Sequence, residues 1–276
     1  MGEPADRATL VLSVADSLEA TYAIPLMEYP GNPPTVVSWA VGASRSPLRA
    51  EVEQAIVNLD ISVSIEPILP GTFPTQLLAN RSGNPRHRDA VANGSYAVVI
   101  RSLGIPGVPA RHHALGLSLA TDIARHFDAP IFDPVVSDLR SAQETTAVLG
   151  RFELERCVAD WVNVVIAADG SMLWIITNGL TRFGLPELQT HRVPAELARD
   201  WVPVSYAIAD SLLDRFDAQL GERAPFIELD ATFDIAGLPI RLTPDIATSP
   251  DGASFLTVTP EHDRPDFFFK LAAAVR

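Results

Sequence analysis

The chain reads as an α+β protein, a mixed or largely antiparallel sheet with helices packed on it. Three observations predict that class. Short apolar runs bounded by turn residues outnumber stripes at helical spacing. Two of those runs, 161–167 and 171–177, are joined through Ala168-Asp169-Gly170, where Asp-Gly supplies the positive φ of a tight hairpin. Finally, 23 prolines and 16 glycines among 276 residues cut the chain into well-delimited pieces.

The elements follow in order. Residues 8–14 and 35–41 read as apolar strands, the second entered through the loop Gly31-Asn32-Pro33-Pro34. Pro47 opens a helix through Leu59, with Ser46 as its cap and Leu48, Val52, Ala55, Ile56 and Leu59 on one face. Residues 61–65 alternate as a half-buried strand, and a long loop-rich region with many prolines and glycines fills the space to residue 95, a length often tied to function. Residues 96–100 form a strand, Gly104 to Pro109 a turn with Pro109 near helix position N1, and 110–127 a helix with His113, Leu117, Ala120, Ala124 and Phe127 on one stripe. Ile131 and Phe132 begin a short strand ended by Asp133-Pro134. Cys157, read as a buried small hydrophobe, opens another strand. Beyond the hairpin, 186–193 is a loop or edge strand, and a helix runs from Ala195 to Phe216 with an interruption at Pro203. Strands at 226–229, 231–235, 238–242 and 253–258, with a turn at Ala236-Gly237, and a helix at 267–275 complete the chain.

The chain divides on this reading into an N-terminal α+β half, 1–150, and a C-terminal one, 151–276. The two halves stand as separate units or as one compact domain. Each carries a strand, a Gly- and Pro-marked turn and a helix, at 96–127 and 171–216, the trace a duplicated module would leave. An apolar content of 47% suffices for a sizeable core and excludes wholesale disorder. With no long apolar run and no export signature at the start, the expectation is a cytoplasmic protein that does not enter a membrane. One cysteine permits no internal disulfide and too few thiolates for a zinc-finger site.

A net charge of −13 argues against nonspecific binding to nucleic acid or anionic membranes. The charge is uneven, however: between residues 81 and 113 the arginines Arg81, Arg86, Arg88, Arg101 and Arg111 face one acid, Asp89, and His87, His112 and His113 join them. Because Lys270 is the chain's one lysine, arginine here is partly a habit of composition. Arg111, His112 and His113 occupy the first turn of the 110–127 helix, whose free N–H groups and dipole favour anions. Cations belong there if a bound anion compensates them; solvation, with His113 packed in the core, is the competing account. Asp133 is the acid best placed for a cleft at a sheet edge. Paired acids such as Asp210 with Asp214 fit a solvated face, and Glu261-His262-Asp263 are adjacent residues that seldom aim at one ion. Nucleotide loops, nucleophile elbows and His-Glu-x-x-His zinc motifs are lacking, so neither cofactor nor metal is expected.

The segment Thr177-x-Gly179-Leu180-x-Arg182-Phe183-Gly184-Leu185-Pro186-Glu187-Leu188 follows a strand containing Trp174-Ile175-Ile176 and precedes an Ala- and Leu-rich helix. It resembles an uncharacterised bacterial family, a domain of unknown function, over roughly residues 101–216. The resemblance implies an α+β cytoplasmic protein with a recurring Arg-Phe-Gly-x-Pro-Glu turn, and names no reaction. Physically, Gly179 and Gly184 admit backbone closed to other residues, and Arg182, an exposed turn residue, pairs with Glu187 across the turn.

Two functional readings remain. In the first the chain is a noncatalytic binding or accessory protein that recognises a protein partner or a small anionic ligand through Arg101, Arg111, His112, His113, Asp133 and Arg182. In the second it is an enzyme on a small anionic substrate, with His112 or His113 as general base and Arg101 or Arg111 clamping a carboxylate or phosphate. The lack of any nucleophile, cofactor or metal signature favours the first. Oligomeric state is left open.

Overall fold

The structure is a computed structural model, and it describes residues 9–69, 71–73, 84–107, 110–152, 157–220, 226–245, 255–260 and 266–275. Its contacts define two units: Ser17–Ile105 with Pro109–Cys157, and Met1–Asp16 with Pro106–Val108 and Val158–Arg276. The halves read from the sequence place residues 1–16 with the first unit. Instead, strand β1 (Thr9–Ser13) pairs antiparallel with β10 (Phe226–Asp230) and belongs to the second. Helices and mostly antiparallel sheets together make the protein α+β.

The N-terminal unit is built on a five-stranded antiparallel sheet in the order β3-β4-β2-β5-β6: β2 (Leu18–Leu26), β3 (Ile61–Pro67), β4 (Tyr96–Gly104), β5 (Ile131–Asp133) and β6 (Asp138–Arg140). Central register pairs Tyr22↔Ile100 and Ile24↔Val98 are wholly buried. Its helices are α1 (Pro33–Ala43), α2 (Arg49–Val57), α3 (Pro85–Asn93), α4 (Arg111–Phe127) and α5 (Ala142–Arg151). Helix α4 lies on β2 and β4 and receives α1, α2 and α5 on its other sides, so every residue from 116 to 124 is buried. Close approach requires Gly116, where an added Cβ would stand 3.1 Å from Ser102 Cβ and 3.2 Å from the Tyr22 ring.

Several sequence expectations change here. Residues 35–41 are helix, not strand: Asn32 accepts from Thr35 N at 3.0 Å, Pro33 and Pro34 pre-set the first turn, and this cap outweighs the β propensity of Val36-Val37. The helix expected to run from Pro47 to Leu59 covers Arg49–Val57, with Ser46 Oγ accepting from Leu48 N at 3.2 Å just before it. Leu59 leaves that face, 81% exposed at positive φ. The loop-rich region contains α3, capped by Asn84. Strands β2 and β6 and helix α5 were not foreseen, although Ser141 and Glu144 form a full capping box at the start of α5. Cys157 is half-buried and precedes a 3₁₀ turn rather than opening a strand. Pro109 and Arg81 lie outside the described residues.

In the C-terminal unit a six-stranded sheet runs β11-β12-β13-β9-β8-β7. Its strands are β7 (Asn163–Asp169), β8 (Met172–Asn178), β9 (Glu187–Pro194), β11 (Thr232–Ile235), β12 (Leu238–Asp245) and β13 (Phe255–Pro260), and the β9–β13 pairing alone is parallel. The predicted hairpin is present, with loop residues Gly170 and Ser171, one step beyond the Asp169-Gly170 turn expected. Of these, Gly170 carries the positive φ. Residues 187–194 are not an edge but an internal strand between β8 and β13. On the hairpin side the edge strand is β7, where Val165 and Ile166 are exposed, so the hairpin is not apolar-buried on both faces. Helix α6 (Trp201–Gln219) packs on β10 and β11 and on the 3₁₀ turn Val158–Asp160, and it buries Val204, Ile208, Leu212 and Phe216. It starts afresh, with Pro203 in its first turn, where N–H groups have no helical partner. Helix α7 (Phe267–Val275) sets Phe267 and Phe268 edge-on to Trp201. Helix α4, expected on this hairpin, packs instead on the five-stranded sheet. Among the described residues no helix is long and apolar enough to cross a membrane.

Two stability measurements test this packing. Asn32→Ala should lower stability by about 1 kcal/mol in thermal unfolding, the worth of an N-cap, and an unchanged melting temperature would contradict the helix at 33–43. On α3, His87 is buried, and desolvation pulls its imidazole below the ordinary value of 6.5 against the opposing charges of Asp128 and Glu144. The unfolded chain therefore takes up a proton that the folded chain refuses. Stability from this group is whole above about pH 6.5 and declines as pH falls through that value. The melting temperature of His87→Gln should consequently fall less than the parent's between about pH 7.5 and about pH 5.5.

Candidate functional site

Three of the arginines named by the sequence, Arg86, Arg101 and Arg111, do not share an anion site; each meets a carboxylate of its own. Arg86 Nη1 lies 2.9 Å from Asp128 Oδ2. Arg101, on β4, reaches Glu66 at 3.1 Å and Ser64 Oγ at 3.3 Å, with Glu19 at 3.9 Å. The Ser64 hydroxyl, helped by Arg101, holds the Glu66 carboxyl below its usual range against the effect of burial. Arg111 makes a two-pronged pair with Glu51 at 2.8 and 2.5 Å and rests over the Phe152 ring. Such forks are the strong form of the guanidinium–carboxylate contact.

The structure does bring the two histidines together. Their ring centroids are 4.5 Å apart at the start of α4, and Tyr22 Oη stands 3.1 Å from His113 Nδ1. Gly104 closes over them, since an added Cβ there would come within 2.6 Å of His112 Cβ. At 3% and 1% exposure, His112 and His113 present no face to an external substrate. Asp133 is also buried at the end of β5, where its Oδ1 accepts from Val135 N at 3.2 Å. That bond is the local turn of an Asp-Pro sequence. Among the described residues no group of three or more His, Cys, Asp or Glu could hold a metal; Glu261-His262-Asp263 lie outside them.

The motif 177–188 resolves into a hydrogen-bonded turn around Glu187. Its Oε1 accepts from Gly179 N at 2.7 Å and Thr181 N at 3.2 Å, and its Oε2 accepts from Thr177 Oγ1 at 2.8 Å. Thr177 Oγ1 in turn accepts from Leu188 N at 2.7 Å. The turn's own donors, rather than Arg182, take up the carboxylate. Arg182 is buried and not an exposed turn residue, on a 3₁₀ turn between Gly179 and Gly184, whose φ values of 128° and 86° suit glycine. A polar chain unseen in the sequence adjoins it: Gln189 accepts from Trp174 Nε1 at 3.2 Å and donates to Asp245 at 2.7 Å and Thr257 at 2.9 Å.

Two clefts among the described residues lie in the N-terminal unit, one on each flank of α1. One cleft, of 670 Å³, is walled by Pro33, Val37, Val41, Ile56, Val57 and Val63. The second, of 680 Å³, brings together the residues after β2, Trp39 of α1, Arg86 and Asp89 of α3, and residues 126–129 at the end of α4. Its rings are Tyr29, Trp39, His126 and Phe127, with Trp39 tilted over His126 at 5.3 Å. Four segments supply this site, and none carried a motif. No family model matches the chain, and no curated protein is similar to it.

Glu187→Ala would leave two backbone N–H groups and a buried hydroxyl without their acceptor, at a cost of about 3 kcal/mol. Gly184→Val forces a β-branched residue to positive φ, at about 1–3 kcal/mol. Denaturant unfolding should rank both well below the parent. A parent-like Glu187→Ala would show that the turn does not depend on the carboxylate.

Proposed function

We propose that the chain is a noncatalytic binding protein that recognises a protein partner or a small molecule through the α1 face of its N-terminal unit. The observation that carries this reading is α1 itself. The helix has no charged residue from Pro33 to Ala43, yet it buries only Val36 and Ala40. An uncharged helix that is held at the surface and exposes a large ring leaves apolar area for a second molecule to cover. Here that area includes Trp39, 45% exposed, and a cleft on either side. Both clefts have the size of small-molecule sites, about 300–1,000 Å³.

The anionic ligand expected from the sequence has less support. An anion at Arg101 must displace Glu66, and one at Arg111 must break a two-pronged pair with Glu51. The enzyme reading also needs an open general base, whereas His112 and His113 are buried. Chemical-shift mapping of the ¹⁵N-labelled chain with a set of small neutral aromatic fragments tests the proposal. The largest shifts should fall within residues 27–41 and 126–129, and they should vanish in Trp39→Ala while persisting in Arg101→Ala and Arg111→Ala. Shifts confined to the hairpin 163–178, or none at all, would overturn it.

A further inference from the structure

We infer that the cleft walled by Tyr29, Trp39, His126 and Phe127 takes an organic cation on an apolar stem, the chemistry shared by a lysine or arginine side chain and a free aliphatic polyamine. This rests on the reading of the α1 face as the binding surface and names the ligand class of one of its clefts.

Three features of the cleft favour positive charge. The first is its aromatic wall. Trp39 and Tyr29 are 45% and 58% exposed, and Trp39, His126 and Phe127 form a continuous ring cluster with centroid separations of 5.3 and 4.7 Å. Ring faces attract ammonium and guanidinium groups, Trp most strongly, while the same rings pack against an alkyl stem.

The second is the balance of formal charge. Glu28, Asp89 and Asp128 line the cleft against one guanidinium, Arg86, and Arg86 is already engaged by Asp128 at 2.9 Å. Glu28 and Asp89 are thus the surplus. An anion entering here would meet that surplus, whereas a cation is drawn to it. The Arg86–Asp128 pair is solvent-exposed, the kind of ion pair worth little, so an incoming guanidinium or ammonium can replace Arg86 on Asp128 without a large penalty.

The third is the end of α4. Residues 126–129 line the cleft, and the last carbonyls of this 17-residue helix give its C-terminus a partial negative charge. The position that usually holds glycine at such an end is Asp128, in left-handed conformation at φ 50°. The helix's last carbonyls add to the negative potential of Glu28 and Asp89, which favours a cation in the cleft. At 680 Å³ the cleft has room for the alkyl chain as well as the charged head.

The test uses the full chain and follows the Trp39 indole N–H signal, assigned by its loss in Trp39→Ala. The probes are a blocked tripeptide Gly-Lys-Gly, its Gly-norleucine-Gly counterpart, spermidine and inorganic phosphate. The lysine peptide or spermidine should shift the signal saturably, with the norleucine peptide about tenfold weaker and phosphate inert. The double variant Glu28→Gln/Asp89→Asn, both at exposed positions and checked for folding by circular dichroism, should weaken the cation about tenfold. Whichever of peptide and spermidine binds more tightly assigns the source of the cation. Equal binding of the lysine and norleucine peptides overturns the inference and leaves the α1 face standing as a neutral apolar site, as does parent-like cation binding by the double variant. Phosphate binding overturns the inference directly. If no probe moves the signal and neutral fragments do not either, the binding face falls with it.

Discussion

The approach of one helix to one sheet governs the N-terminal unit. Helix α4 rests directly on β2 and β4 because glycine removes the side chain at both ends of the crossing. Gly116 faces Tyr22 and Ser102 from the helix, and Gly104 meets His112 from the strand. Close packing of this kind tolerates little change in volume. Everything of functional interest hangs on that helix. Its first turn carries Arg111 and the buried histidines, and its last turn closes one end of the aromatic cleft. Helix α1 packs on α4 through its buried Val36 and Ala40 side.

The elements legible in the sequence were those whose apolar spacing and turn chemistry agree. Residues 111–127 and 267–275 carry stripes at helical spacing, and the 163–178 hairpin has glycine where the turn needs it. Helix α1 has the composition of a strand, because Val36, Val37, Trp39 and Val41 are strand-favouring residues, while the opposing signal is a single polar atom, the Asn32 side-chain oxygen, followed by two prolines. Asn84-Pro85 starts α3 in the same way. Both cases show a cap overriding composition, a local interaction that apolar periodicity does not register.

The candidate site was less legible, for a reason of distance along the chain. The basic island looks like an anion site only when its acids are out of view. Those acids arrive from 42 residues away for Arg86, 35 for Arg101 and 60 for Arg111. Folding disperses the charge that the sequence concentrates. The aromatic cleft shows the converse: Tyr29, Trp39, Asp89 and His126 share no motif, and only the fold gathers them. In the 177–188 turn the glycines could be read as backbone devices from the sequence alone, but the burial of Arg182 and the three donors on Glu187 could not, because both depend on how β8 and β9 pair around the turn.

The pairing of β1 with β10 also sets an order of assembly. Residues 9–13 form their ladder with residues 226–230, and β9 receives its parallel neighbour only from residues 255–257. The five-stranded sheet, by contrast, draws all its strands from residues 18–140. During synthesis all residues of that sheet emerge before those that pair with β1 and before the parallel neighbour of β9. Closing so long a loop carries an entropic cost that grows only logarithmically with its length, and folding one unit in the interval takes its residues out of the flexible span. Strand β1 is therefore paired only after residues 226–230 have been made, and until then its unbonded edge must remain apart from other chains.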